Sequence, residues 1–212
     1  MSKVDLTIDG QQISAAEGEK LLWVALDNGI FIPHLCAVKE RETPTASCRL
    51  CFVEIEGFEQ PVTACTQEVK EGMVVQTRTP WVDRLVQSAF ELLLSDHRLD
   101  CKNCAANKSC ALQEIAKKRD LKLKLSRFNL LERESSIDDS PGNFFFDPSR
   151  CVLCGKCVYV DREVAKAGIL GFSRRGLNRC ITTFNDQKLA NFSCDNCGLC
   201  VETCPVGALC FK

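Results

Sequence analysis

Cys194, Cys197, Cys200, Cys204 and Pro205 stand in the spacing C-x2-C-x2-C-x3-C-P. Few patterns restrict a chain as much. Three thiols within seven residues share one tight loop, which serves a single metal centre well and two disulfides poorly. In that loop they cap three irons of one cluster, backbone N–H groups face its sulfurs, and the proline ends the turn. A structural zinc site, which usually takes two close pairs, fits the run badly. Cys151, Cys154 and Cys157 repeat its first three positions 43 residues earlier, an internal duplication.

In paired runs of this kind the fourth cysteine of each completes the other cluster. Cys204 is therefore expected with Cys151, Cys154 and Cys157. The cluster of Cys194, Cys197 and Cys200 should draw its fourth ligand from position 161, and the residue there is Asp161. A carboxylate can ligate iron, as a harder donor than thiolate. Cys180 swinging in, an open corner or a three-iron cluster stand beside it as alternatives, and the sequence does not choose among them. Cys210 has no motif partner and reads as a buried or incidental thiol.

Sixteen cysteines in 212 residues would ordinarily suggest a secreted disulfide scaffold. The polar stretch from Met1 to Gly10 lacks the apolar core of a signal peptide. No run of about 18 apolar residues exists to span a membrane. The cytoplasm is the expected compartment, with metal the use of the thiols. With 27 basic and 28 acidic residues, the charge balance gives no reason to expect nucleic acid or anionic lipid. One Tyr and two Trp give no reason to expect a base-stacking platform.

Two further sets lie upstream. Cys36, Cys48, Cys51 and Cys65, one close pair and two outliers, suit a [2Fe–2S] cluster held by a loop, with zinc or buried free thiols as the alternative. His97 precedes Cys101, Cys104 and Cys110, a group one ligand short of four. An imidazole from His97 would close a [4Fe–4S] site and, by removing a negative charge, raise its potential. A His/Cys3 zinc site fits this spacing equally well.

Around these motifs the pattern is mixed. Val4, Leu6 and Ile8 alternate before an Asp9-Gly10 turn, and Gln12 to Ala15 begins the return arm of a hairpin. Glu19 to Asn28 reads as a short helix stopped by Gly29. Phe52 to Glu56 and Val74 to Thr77 read as strands, and Val82 to Ser95 and Cys110 to Arg119 as helices. Lys122 to Asn143 has weak periodicity and reads as a linker.

Together the motifs resemble the N-terminal part of the large iron–sulfur subunit of respiratory complex I. That module is shared with NAD-reducing and [FeFe] hydrogenases and NAD-dependent formate dehydrogenases. The carrying residues are Ser47 to Glu54, His97 with Leu99-Asp100-Cys101, Cys110 with Leu112-Gln113, Arg150 to Cys157, and Cys204 to Leu209. The resemblance implies iron in all four sets and His97 as ligand. It implies an α+β chain carrying one [2Fe–2S] and three [4Fe–4S] clusters. The layout it implies is a β-grasp [2Fe–2S] ferredoxin-like domain at 1–80, a small helical His/Cys3 domain at 81–121 and, after a linker at 122–143, a two-cluster bacterial-ferredoxin-like domain at 144–212.

Having both three-cysteine runs, the chain is most similar to the diaphorase-side subunit of soluble NAD(P)-linked [NiFe] hydrogenases, electron-bifurcating ones included. Members normally carry cysteine where Asp161 stands. The implied role is non-catalytic: electron relay between a flavoprotein NAD(P)H-oxidising subunit and a hydrogenase, or alternatively a formate dehydrogenase, subunit. No G-x-G-x-x-G or phosphate loop supports a catalytic enzyme. A free-standing ferredoxin would be smaller and acidic, and a zinc scaffold would be colourless.

Overall fold

The computed structural model describes residues 2–131 and 136–212. Two compact units divide between Phe90 and Glu91.

The first unit begins with the hairpin of β1 (Lys3–Ile8) and β2 (Gln11–Ala16), in register from Lys3↔Ala16 to Ile8↔Gln11. Both loop residues of the turn have positive φ, Asp9 at 49° and Gly10 at 82°, which matches the twist of the flanking strands. α1 (Leu21–Asp27) follows, then β3 (Phe52–Ile55), β4 (Val62–Thr63) and β5 (Val74–Gln76). They form one mixed sheet in the order β2-β1-β5-β3-β4, with β1 and β5 parallel. Asp9 ties the far end: its carboxylate accepts from Thr77 N at 2.7 Å and Thr77 Oγ1 at 2.6 Å.

Period-two alternation puts Val4, Leu6 and Ile8 on one face, and with Ile13, Val53 and Val75 they bury against Leu21, Leu22, Val24 and Ala25 of α1. Each fully buried Leu or Ile contributes about 1.5–3 kcal/mol, and Cys51 and Cys65 belong to the same core. α2 (Pro80–Ser95) starts with Pro80 at its first position, and Thr79 Oγ1 accepts from Val82 N at 3.1 Å.

The second unit has less regular structure. It holds the last turn of α2, α3 (Ala111–Arg119), β6 (Phe144–Phe146), α4 (Lys156–Tyr159), β7 (Gly171–Ser173), β8 (Cys180–Thr182), α5 (Leu199–Glu202) and β9 (Leu209–Phe211). β6 pairs with β9 and β7 with β8, both antiparallel. A π-turn over Val160–Val164 directly continues α4. The expected linker contains no helix or strand among its described residues, yet it is pinned. Arg127 Nε meets the buried Glu91 carboxylate at 2.8 Å, and Leu131 N bonds Ser95 O at 2.7 Å.

The hairpin, the three longer helices and the strands at 52 and 74 therefore lie where alternation and helical spacing put them. β4, β7, β8 and β9, of two or three residues each, carry too little periodicity to be read. Among the described residues no helix is long and apolar enough to cross a membrane.

Candidate metal centres

Cys36, Cys48, Cys51 and Cys65 are gathered in the first unit. Arg49 (φ 55°) and Ala46 (φ 47°) bend the loop, β3 leaves directly from Cys51, and Cys65 sits in a 3-10 turn after β4. Ala64 N bonds Cys51 O at 2.8 Å, joining the two sides. Cys48 N points at Cys36 Sγ at 3.4 Å. A hydrogen bond from Cys48 holds the Cys36 thiol well below the usual range, while the same contact and burial push Cys48 up. Cys51 and Cys65 form a second such pair, Cys65 lowered and Cys51 raised. Four sulfurs this close favour ionisation of two and resist the rest, an opposition that a bound cationic metal core relieves.

In the second unit Cys101 and Cys104 flank a 3-10 turn and Cys110 precedes α3. Burial raises the Cys110 thiol, and the nearby Cys104 and Cys101 raise it further. His97 is buried, and its Nδ1 lies 2.8 Å from the Arg150 carbonyl. A carbonyl only accepts, so Nδ1 carries the proton and Nε2 keeps its lone pair. Burial holds the imidazole below its usual pKa, toward the neutral form. That is the state in which a histidine ligates metal, with its other nitrogen oriented by a backbone oxygen. His97 and Cys104 both lie by Arg150, whose carbonyl faces the imidazole and whose Cδ, like Cys104 Sγ, lies within 3.5 Å of a Cβ placed on Gly207.

The two duplicated runs share one backbone. Leu153 (φ 54°) and Asn196 (φ 52°) precede the middle cysteines, Gly155 (φ 76°) and Gly198 (φ 80°) follow them, and α4 and α5 begin one residue later. A Cβ on Gly155 would meet Phe172 at 3.0 Å, and one on Gly198 would meet Phe211 at 2.9 Å. Each loop thus needs glycine twice over, for its φ and for the ring lying on it.

Burial raises Cys157 well above the usual thiol range. The neighbouring sulfurs of Cys151, Cys154, Cys204 and Cys200 add to the rise. Cys204 also raises the Cys151 thiol, so it lies close to the earlier run. Cys200, pushed up to about 11 by burial and then by Cys194 and Cys197, belongs to the later run. A cavity of about 40 Å³ is lined by Cys194, Cys197 and Cys200 together with Asp161. The π-turn buries Asp161, and its Oδ2 accepts from Leu170 N at 2.9 Å. Cys180 lines a different cavity, with Cys151 and Leu153, and its sulfur lies 3.8 Å from Arg174 Nη1. Cys210 is buried in β9.

None of the sixteen cysteines is in a disulfide. Among the described residues no three His, Cys, Asp or Glu side chains converge as they would on a single metal ion. The donor set nonetheless suits thiolate-bound clusters. A cradle supports this at Gly207, where a Cβ would fall 2.3 Å from Cys104 Sγ, so only glycine admits that sulfur. Gly207 and the Arg150 carbonyl were missed as site-shaping residues. Gly207 lies three residues beyond Cys204 in the Cys-Pro ending, its one visible signal; a backbone carbonyl leaves none.

Residues 1–80 match the 2Fe-2S iron-sulfur cluster binding domain, and 87–122 match the NADH-ubiquinone oxidoreductase-G iron-sulfur binding region. Residues 145–210 match the ferredoxin-like domain of NADH-quinone oxidoreductase subunit 3. In this order the three matched regions make the chain similar to iron–sulfur subunits of NADH-quinone oxidoreductase. It is 38 % identical over 214 residues to the NADPH-Fe(3+) oxidoreductase subunit alpha of Geobacter sulfurreducens, covering 99 % of this chain and 24 % of that one. It is 34 % identical to the NADP-reducing hydrogenase subunit HndD of Solidesulfovibrio fructosivorans, covering 99 % and 36 %. The chain thus spans about a quarter to a third of these relatives. A crystal structure of NAD+-reducing [NiFe]-hydrogenase in the H2-reduced state is similar at a TM-score of 0.88 and 29 % identity, over 100 % of this chain and 88 % of that one.

Proposed function

We propose that the chain is a non-catalytic electron-transfer subunit that relays electrons between a flavoprotein NAD(P)H-oxidising module and a hydrogenase module. In this reading Cys36, Cys48, Cys51 and Cys65 hold a [2Fe–2S] cluster in a β-grasp domain at 1–80. His97, Cys101, Cys104 and Cys110 hold a [4Fe–4S] cluster at 81–121. Beyond a linker at 122–143, the segment 144–212 holds two more, one on Cys151, Cys154, Cys157 and Cys204, the other on Cys194, Cys197, Cys200 and Asp161. Bound clusters would supply one-electron couples.

The observation that supports the reading is proximity: Cys204 lies near Cys151 and Cys157, and Asp161 lines a cavity with Cys194, Cys197 and Cys200. The chain's own residues set the rest. Burial of the first four thiols keeps water from that site. A neutral imidazole at His97 removes one negative charge and raises that site's potential relative to four thiolates. The similarity to hydrogenase subunits supports a hydrogenase as the distal partner.

Iron analysis with EPR on anaerobically purified protein, reduced stepwise, tests the proposal. One [2Fe–2S] and three [4Fe–4S] clusters require about 14 iron per chain and four distinguishable signals. About 13 iron with an oxidised three-iron signal would mean that Asp161 leaves its corner open. Zinc in place of iron would sink the relay.

A further inference from the structure

Arg150 stands where two of these centres approach. It immediately precedes Cys151 and is 8 % exposed. Its Nε donates to Asp147 Oδ2 at 2.9 Å, and its Nη1 to Asp100 O, beside Cys101, at 3.4 Å. A Cβ on Gly207 would lie 3.5 Å from Arg150 Cδ and 2.3 Å from Cys104 Sγ. The arginine stem and that sulfur therefore border the same small space, which brings the side chain of Arg150 beside the thiol. The Arg150 carbonyl takes the His97 Nδ1 proton at 2.8 Å.

The Asp147 carboxylate offsets this charge at the sulfur only in part. Its Oδ1 already accepts from Ser149 N at 3.0 Å and Ser149 Oγ at 2.5 Å, and its Oδ2 holds Arg150 Nε. The carboxylate faces Ser149 and one edge of the guanidinium, while the rest of the guanidinium extends toward Asp100 and Cys104. Arginine keeps its charge throughout the physiological range, and burial weakens solvent screening. A fixed positive charge at a ligand sulfur favours whichever state of the site carries more negative charge, which is the reduced one.

We propose that Arg150 is a positioning residue for the centre of His97, Cys101, Cys104 and Cys110, raising its reduction potential through the guanidinium at Cys104 while its carbonyl orients the His97 ring. The proposal rests on the ligand set given above. One residue thereby borders a nitrogen ligand and a sulfur ligand of one centre and adjoins the first cysteine of the next.

An EPR-monitored redox titration of the anaerobically purified complex tests it, with nitrogen hyperfine coupling marking the imidazole-ligated signal. Arg150→Gln is expected to lower that midpoint by at least a tenfold change in the one-electron equilibrium, about 59 mV, with iron content unchanged. Arg150→Lys, keeping the charge, retains most of the wild-type midpoint. Asp147→Asn, which leaves the arginine and removes its counter-charge, moves the midpoint upward. An unmoved midpoint in an iron-replete Arg150→Gln protein overturns the proposal, as do equal shifts for Gln and Lys. Should Arg150→Gln fail to assemble, Asp147→Asn decides, and a midpoint that stays or falls overturns it. No nitrogen-coupled signal in the unaltered protein would instead overturn the ligand set itself.

Discussion

In the unit of residues 1–90, which holds a five-stranded sheet, the cysteines Cys36, Cys48, Cys51 and Cys65 are 2–5 % exposed. In the unit of residues 91–212, Cys197 is exposed and Cys194 and Cys200 are half-buried. Charge divides the same way, with eight basic and thirteen acidic residues in the first unit against nineteen and fifteen in the second. The first unit has an apolar core to which a thiol loop is attached. In the second, the thiol loops stand where much of a core would be. One donor chemistry therefore has two structural meanings: cargo in the first unit, framework in the second.

Removing iron should break this comparison open most widely. Structural metal sites contribute on the order of 10 kcal/mol to small folds. After anaerobic chelation, hydrogen exchange is expected to keep its protection in β1, β2 and β5 and to lose it in α4, α5 and β9. Simultaneous loss in both units would mean that the sheet is no more self-sufficient than the loops. Next in size is Leu6→Ala, which opens a cavity in the first core and should cost about 3 kcal/mol. Denaturant melts should show it with iron content at the Cys194 loop unchanged.

Gly207→Ala does the reverse. Its Cβ would overlap Cys104 Sγ, an overpacking cost of about 2 kcal/mol, with iron lost from the His97 site and β1–β5 intact by circular dichroism. A smaller effect separates Asp161 from Cys180. Asp161→Ala should leave about one iron fewer per chain and a three-iron EPR signal, whereas Cys180→Ser should change neither. If Cys180→Ser alone removes the iron, the thiol and not the carboxylate is the fourth ligand.

Much of the chain was legible because its signals are local. Asp9-Gly10 names its own turn, the stripe of Val82, Val86 and Phe90 names a helix, and the duplicated C-x2-C-x2-C runs name their loops. What stayed hidden is nonlocal or short. Pairing of Thr7 with Val74 joins strands whose partner choice no periodicity encodes. β7 and β8 have three residues each. The sequence left Asp161 and Cys180 level, because the separation of their side chains into two cavities depends on the π-turn and the β7–β8 hairpin. Arg150 was visible only as part of a motif, since its carbonyl contact belongs to the backbone and its side chain lies beside Cys104, 46 residues away in the chain.

The position of Cys204 among Cys151, Cys154 and Cys157 also has a consequence in time. A ribosome releases Cys204 53 residues after Cys151, and at about 5–20 residues per second that delay is roughly 3–10 s. During it the nascent chain displays three thiols that have nothing to complete them. On the proposed ligand set the exchanged donors would bar either half from maturing before the other has been translated. Biosynthetic machinery delivering iron and sulfide would have to arrive late, or hold the unfinished loop in the meantime.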